Sequence, residues 1–386
     1  MAGEPIAAWD QRLLVGNETT FGTPDAPAAG QTFEAISIDM GPAQQAETRS
    51  KKDRTQGRGM TTGFVEGRVK PIPFSIQTTV KSRASATTVA KESAIYKSAG
   101  MIETVGGSNV TYTFTSAPDV PGLQIYRILG TGTSAYFAEQ GRGGLVSTLT
   151  WSGGDQELTV DAKGAFIGKY HQGRVDSITV NDAVTSYTFT GEDVHRVNIG
   201  YYLCESEIIL VTAMNYTTGV ATITRGALSS SAVAHTAKPL TPYIGTLTYS
   251  GNPLTEANAT VSYGGSALRC TKFQVELSTG IEHLPGETGS AYSQGFKSTR
   301  YDLKTSFTTV MKREEVNFIG RTLNRTNGAI TITCGTGAGS IATFSMPYGE
   351  FEPSALPDNQ NDVVSVDWNF RHRDSSGNDM FTLTMS

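Results

Sequence analysis

His171, His195, His235, His283 and His372 are the side chains best suited to moving protons near neutral pH, and they lie far apart along the chain. A nucleophilic site needs Ser, Cys or Thr beside a base that a third group orients, and five scattered histidines supply few such bases. HExxH, paired CxxC and DxDxDG patterns are missing, so the sequence carries no strong zinc or calcium motif. Cys204, Cys270 and Cys334 are widely spaced and odd in number, and read as reduced, packed thiols. The stretches GRGGL at 141–145 and GTGAGS at 335–340 lack the lysine and following helix of a phosphate loop; each falls between strand patterns, where glycine supplies turn geometry. Asp358, Asp362 and Asp367 cluster near the C-terminus at a spacing that fits no cation loop. The first two read as turn residues and Asp367 as the exposed face of a strand. The residues thus predict a protein that is not an enzyme and that uses no cofactor or metal.

The rest of the composition says what such a chain is built from. Its 386 residues suit two domains or one elaborated domain, and 42 Gly, 15 Tyr and 16 Phe with only 17% charged residues favour strands joined by tight turns. A net charge of −5 works against non-specific binding to nucleic acid, and suits a surface that DNA slides past. Glu4 and Pro5 stand where a secretory signal needs a basic start and an apolar run, and no stretch approaches the ~20 apolar residues of a membrane span. Synthesis in the cytoplasm without a membrane partner is the expectation.

Period-2 alternation marks half-buried strands at Phe33, Ile36, Ile38 and Met40, and again at Val65, Val69, Ile72, Phe74, Ile76 and Val80. Between them, residues 43–63 offer a core nothing and predict a projecting hairpin arm. Glu47, Arg49, Lys51, Lys52, Asp53, Arg54 and Arg58 make this the most basic stretch of the chain. Because two acids interrupt it and aromatics are absent, contact with a neighbouring subunit is preferred over phosphate binding. One helix is predicted from a cap at Thr87 or Thr88, through Val89, Ala90, Ala94, Ile95 and Ala99, to a stop at Gly100. From residue 109 onward strand follows strand, with Trp151 and Trp368 as core anchors. The expected fold is mainly β: a sandwich or barrel with one flanking helix, formed by residues 1–170 and 243–386, interrupted by a small all-β domain at 171–242.

The segments LLVGNETTFGTPDAPAAG, GFVEGRVKPIPFSIQTTV and VAKESAIYKSAGM, with the charged arm between the first two, resemble phage tail tube proteins of the siphophage kind, as does the closing stretch GEFEPSALPDNQNDVVSVDWNFRHRDSSGNDMFTLTMS. Together they span roughly half the chain. The resemblance implies a virion tail protein whose copies form stacked hexameric rings. Their inner strands would close one β-barrel around a channel for DNA, with the tape measure, tail terminator and distal tail proteins as further partners. The arm at 43–63 and the N-terminal segment would then reach neighbouring subunits, and the insert would decorate the outside, since an inward domain blocks the channel. ESEIILVTAMNYTTGVATITRGALSSSAVAHTA is similar to a segment that recurs in phage virion proteins; Arg225, Gly226 and His235 hold its recognisable positions, and their expected work is to fix turns. The rival reading is a receptor- or carbohydrate-binding tail protein, also β-rich and free of catalytic motifs.

Overall fold

A computed structural model describes residues 11–23, 25–28, 31–42, 46–52, 61–83, 85, 88–115, 118–130, 137–154, 157–245, 250–255, 259–284, 295–310, 320, 327–337, 339–352, 365–374 and 379–386. Strands hold 59% of the structure and helices 5%, which establishes the mainly-β class.

The first sheet runs β2 (Thr32–Phe33), β1 (Gln11–Asn17), β9 (Leu123–Leu129), β10 (Phe137–Gly153) and β12 (Gly168–Gly173), all antiparallel. The 17-residue β10 belongs to two sheets, because its second half leaves β9 and β12 to pair with β11 (Thr159–Phe166) and β21 (Cys270–Ser278). Glycine makes that change possible: pairing with β9 shifts between Gly141 and Gly144, and Gly143 sits at φ +56°. The GRGGL stretch is therefore a strand kink. A Cβ on Gly143 would stand 2.5 Å from the Ile167 side chain, so Gly143→Ala should cost about 2 kcal/mol in denaturant unfolding through left-handed strain and overpacking.

The second sheet is a continuous antiparallel layer of seven strands: β3 (Ser37–Met40), β6 (Ile72–Thr79), β11, β10, β21, β24 (Asp302–Val310) and β27 (Ser365–His372). Facing it is a third layer of β7 (Ile102–Val105), β8 (Val110–Thr113), β28 (Thr382–Met385), β26 (Ala342–Glu352), β25 (Gly328–Cys334), β19 (Thr260–Tyr263) and β20 (Ser266–Leu268). The last residues of β26 turn to pair with β27, linking the layers into one barrel-like sheet of eighteen strands.

Between the layers every second side chain is buried, and aromatic rings fill the centre. Trp151 is fully buried, stacked on Phe381 at 5.4 Å between centroids and edge-on to Phe344 at 5.7 Å, with its Nε1–H directed to the Tyr96 hydroxyl at 3.3 Å. Trp368, also buried, donates to Thr309 Oγ1 at 2.8 Å. The helix α1 covers only Ser93–Ser98, much shorter than the predicted span. Thr88 instead closes a turn onto Ser85, and the helix opens at Glu92, whose side chain is buried and bonded to the Lys81 N–H rather than capping. Packing of Ile95 and Tyr96 holds so short a helix, while Gly100 ends it at φ +82° as the sequence indicates.

Residues 175–242 build a sheet of their own in the order β13 (Val175–Val180), β18 (His235–Pro242), β15 (Gly200–Cys204), β16 (Glu207–Asn215), β17 (Val220–Thr224) and β14 (Ser186–Thr188), with a one-turn helix α2 (Asp193–Arg196). It has a separate core around Ile178, Phe189, Tyr202, Val211 and Leu240. Two small ladders remain: β22 (Ile281–His283) with β23 (Phe296–Ser298), and β4 (Ala46–Lys52) with β5 (Thr61–Val69).

Candidate assembly surface

The outward face of the seven-stranded layer is an organised polar surface. Its cross-strand rows follow the ladder register. Gln77, Asp161, Thr150, Glu276, Lys304 and Arg371 form one row; Thr79, Thr159, Ser152, Gln274, Ser306 and Asn369 form the next. On this face Asp39, Asp161, Glu276, Asp302 and Asp367 stand against Lys163, Lys272, Lys304 and Arg371, and Glu350 and Glu352, on the end of β26 that pairs with β27, tip the surface towards acidic. Three of the four cations lie in exposed pairs, Lys163 with Asp161 at 3.4 Å, Lys304 with Asp302 at 3.6 Å and Arg371 with Glu352 at 3.0 Å, which stabilise by at most about 1 kcal/mol each but hold the positive charge close to carboxylates. Asp367 is exposed here and accepts from Thr308 Oγ1 at 2.6 Å. A shallow cleft of about 470 Å³ crosses the face between Gln77, Thr159, Gln274 and Thr308. Its lining is hydroxyls, amides and charges; the one aromatic among the described lining residues, Phe273, is buried and offers no stacking platform.

At one end of this layer β3 pairs only with β6 among the described residues, and at the other β27 pairs with β24 and, through residues 369–372, with β26. Unpaired edges template further strand addition.

Of the predicted arm residues, Glu47, Arg49, Lys51 and Lys52 lie on β4, whereas Asp53, Arg54 and Arg58 lie outside the described residues. The β4–β5 ladder continues the β3–β6 hairpin in the same register: Met40 faces Phe74, then Arg49 faces Val65 and Lys51 faces Gly63. The arm is thus a separate two-stranded ladder that continues the β3–β6 hairpin in register. It reaches further than the charged stretch suggests, because Val65 and Val69 belong to β5 and not to the core strand that follows.

In the insert, Arg225, Gly226 and His235 converge on Glu207, which the sequence reading missed. The Glu207 side chain is fully buried and accepts five hydrogen bonds: Arg225 Nε at 2.7 Å and Gly226 N–H at 3.0 Å on Oε1, and Arg225 Nη2 at 2.7 Å, Val233 N–H at 3.1 Å and His235 Nε2 at 2.8 Å on Oε2. Burial alone would raise its pKa, but these partners outweigh burial and hold it at about 2. His235 Nδ1 meets Glu205 at 3.0 Å. The cluster pins a loop with three left-handed residues, Gly226, Leu228 and Ser229. An acid one residue into an apolar strand run, SEIILV, was the available signal.

The other histidines do not assemble. His283, half-buried, and His372, buried, lie apart, bonded to the Ala165 carbonyl and to Thr305 Oγ1, and burial lowers His372 to about 4. His171 and His195 lie on β12 and α2. No group of His, Cys, Asp and Glu among the described residues is arranged to hold a metal. Asp358 and Asp362 fall outside the described residues. No family model matches the chain, and no curated protein matches it.

Proposed function

We propose that this protein is a structural subunit of a phage tail, polymerising with copies of itself as stacked hexameric rings into the tube that conducts DNA. The observation that carries the reading is the seven-stranded layer: apolar inside, hydroxyl-rich and acid-leaning outside, and ending in β3, which pairs only with β6 among the described residues. Joining such layers edge to edge satisfies the free N–H and C=O groups and closes a barrel. A wall of that chemistry repels phosphate and offers no aromatic on which a base could stack, so DNA passes without being held. The basic arm extends past the layer towards other subunits, and the separately folded insert is free to stand outside the wall.

Negative-stain microscopy of the purified full-length chain tests this. Rings or hollow tubes are expected; a compact trimer that binds cells or glycans would favour the receptor-binding alternative and overturn the proposal.

A further inference from the structure

Two units with separate cores move against each other by default, with exposed linkers as their hinges. The junction between the insert and the main sheet is built against such motion. β12 ends at Gly173 and β13 begins at Val175, so Arg174 alone joins them. On the return, β18 ends at Pro242, the Tyr243 N–H donates to the Tyr201 carbonyl at 2.9 Å, and Ile244 is already buried with Leu14, Tyr126, Ile128 and Ala138 of the main sheet. Neither linker has the length to swing.

Arg142, at the kink of β10, fills the space between the two linkers. It is buried, and its hydrogen-bond partners are neutral: Nη2 donates to Gln140 Oε1 at 2.8 Å and to the Ile199 carbonyl at 3.1 Å, while the guanidinium lies 4.0 Å from the centre of the Tyr170 ring on β12. A buried guanidinium is costly to desolvate, and this one directs a donor across the junction. Ile199 belongs to a corner that is fixed to the insert's own core, because the Asn198 N–H donates to the buried Tyr202 hydroxyl at 2.8 Å and that hydroxyl donates to the Asn198 carbonyl at 3.1 Å. At Gly200, φ +143°, a Cβ would stand 2.2 Å from Gln172 Nε2, so glycine lets the corner close on β12. Gly173 likewise admits Arg196 of α2, whose Cβ would be 3.1 Å from an added methyl.

We infer that Arg142 is a clamp that seats the 198–200 corner of the insert on β10 and β12, making the insert a strut held at a fixed angle to the main body. A single copy suffices for this, whether or not rings form.

Double electron–electron resonance tests it on the full-length chain, with spin labels at Thr222 of the insert and Lys304 of β24, both exposed, diluted in unlabelled chain. The parent should give one narrow distance distribution. Arg142→Met keeps most of the side chain's length and removes its donors, so the distribution should widen about twofold while hydrogen exchange around Val211 and Trp151 stays as in the parent. Arg142→Lys keeps the charge without the planar fork and should widen it less. Should the methionine variant fail to fold, the lysine variant decides. A broad distribution in the parent overturns the strut, and a width unchanged in a folded Arg142 variant overturns the clamp.

Discussion

Glu207→Ala should unfold the insert while leaving the main sandwich intact, at a cost to the insert of about 3–5 kcal/mol, the range for removing one partner from a buried ion pair. The carboxylate holds both ends of the 226–233 loop, through Gly226 and Val233 N–H, and it is also the counter-charge for Arg225 and a hydrogen-bond partner of His235. Its removal strands a buried guanidinium and releases three left-handed residues at once. Hydrogen exchange should show protection lost in β15 to β18 and retained around Trp151 in β10. Replacing the pair together, Glu207→Leu with Arg225→Met, should recover much of the loss, because a packed apolar pair carries no unpaired charge. The sign of the pH effect follows from the depressed pKa: Glu207 stabilises fully above the usual carboxylate range near 4.5, and that contribution drains away as pH falls towards 2. Exchange protection that falls evenly across both cores in Glu207→Ala would contradict an insert with its own stability.

How much of this was legible in the sequence depended on whether the determining contact was local. Strand alternation at Ile72, Phe74 and Ile76 names a buried face directly, and GRGGL announces a place where backbone must bend. The insert's strands pair only among themselves from Val175 to Pro242, and the start expected at residue 171 falls inside β12, whose residues 171–173 pair with β10 of the main sheet. The helix start was misread because Thr88 is a good cap in isolation, while the actual start is set by Glu92 meeting Lys81 across eleven residues. The buried carboxylates were invisible for the same reason: Glu18, Glu92 and Glu207 resemble surface acids until partners from distant strands close over them.

Two of those carboxylates should make the whole protein more stable in mild acid than in mild base. Burial raises Glu18 to about 7 despite N–H donors from Gly143 at 2.7 Å and Gly22 at 2.6 Å and the nearby Arg142; burial likewise raises Glu92 to about 7 against the Lys81 N–H at 3.1 Å and the Lys81 charge. A folded pKa above the unfolded value near 4.5 means that the native state binds the extra proton, so each contribution is complete below about 4.5 and is lost as pH rises through 7. The shift corresponds to roughly 3 kcal/mol per group. His372 opposes this, since a histidine lowered to about 4 destabilises the fold as pH falls from its usual range towards 4. The parent's net profile is therefore blunted, and the difference between parent and variant is the sharper measurement. Glu92→Gln keeps an acceptor for the Lys81 N–H and removes the charge, so it should exceed the parent by roughly 3 kcal/mol at pH 8 and match it near pH 5. Glu18→Gln should gain less, because both Glu18 oxygens accept glycine N–H groups and an amide nitrogen would face one of them. Urea denaturation of parent and Glu92→Gln across pH 5 to 8 checks the pair; a gap that stays constant with pH would show that Glu92 does not change its protonation in that window.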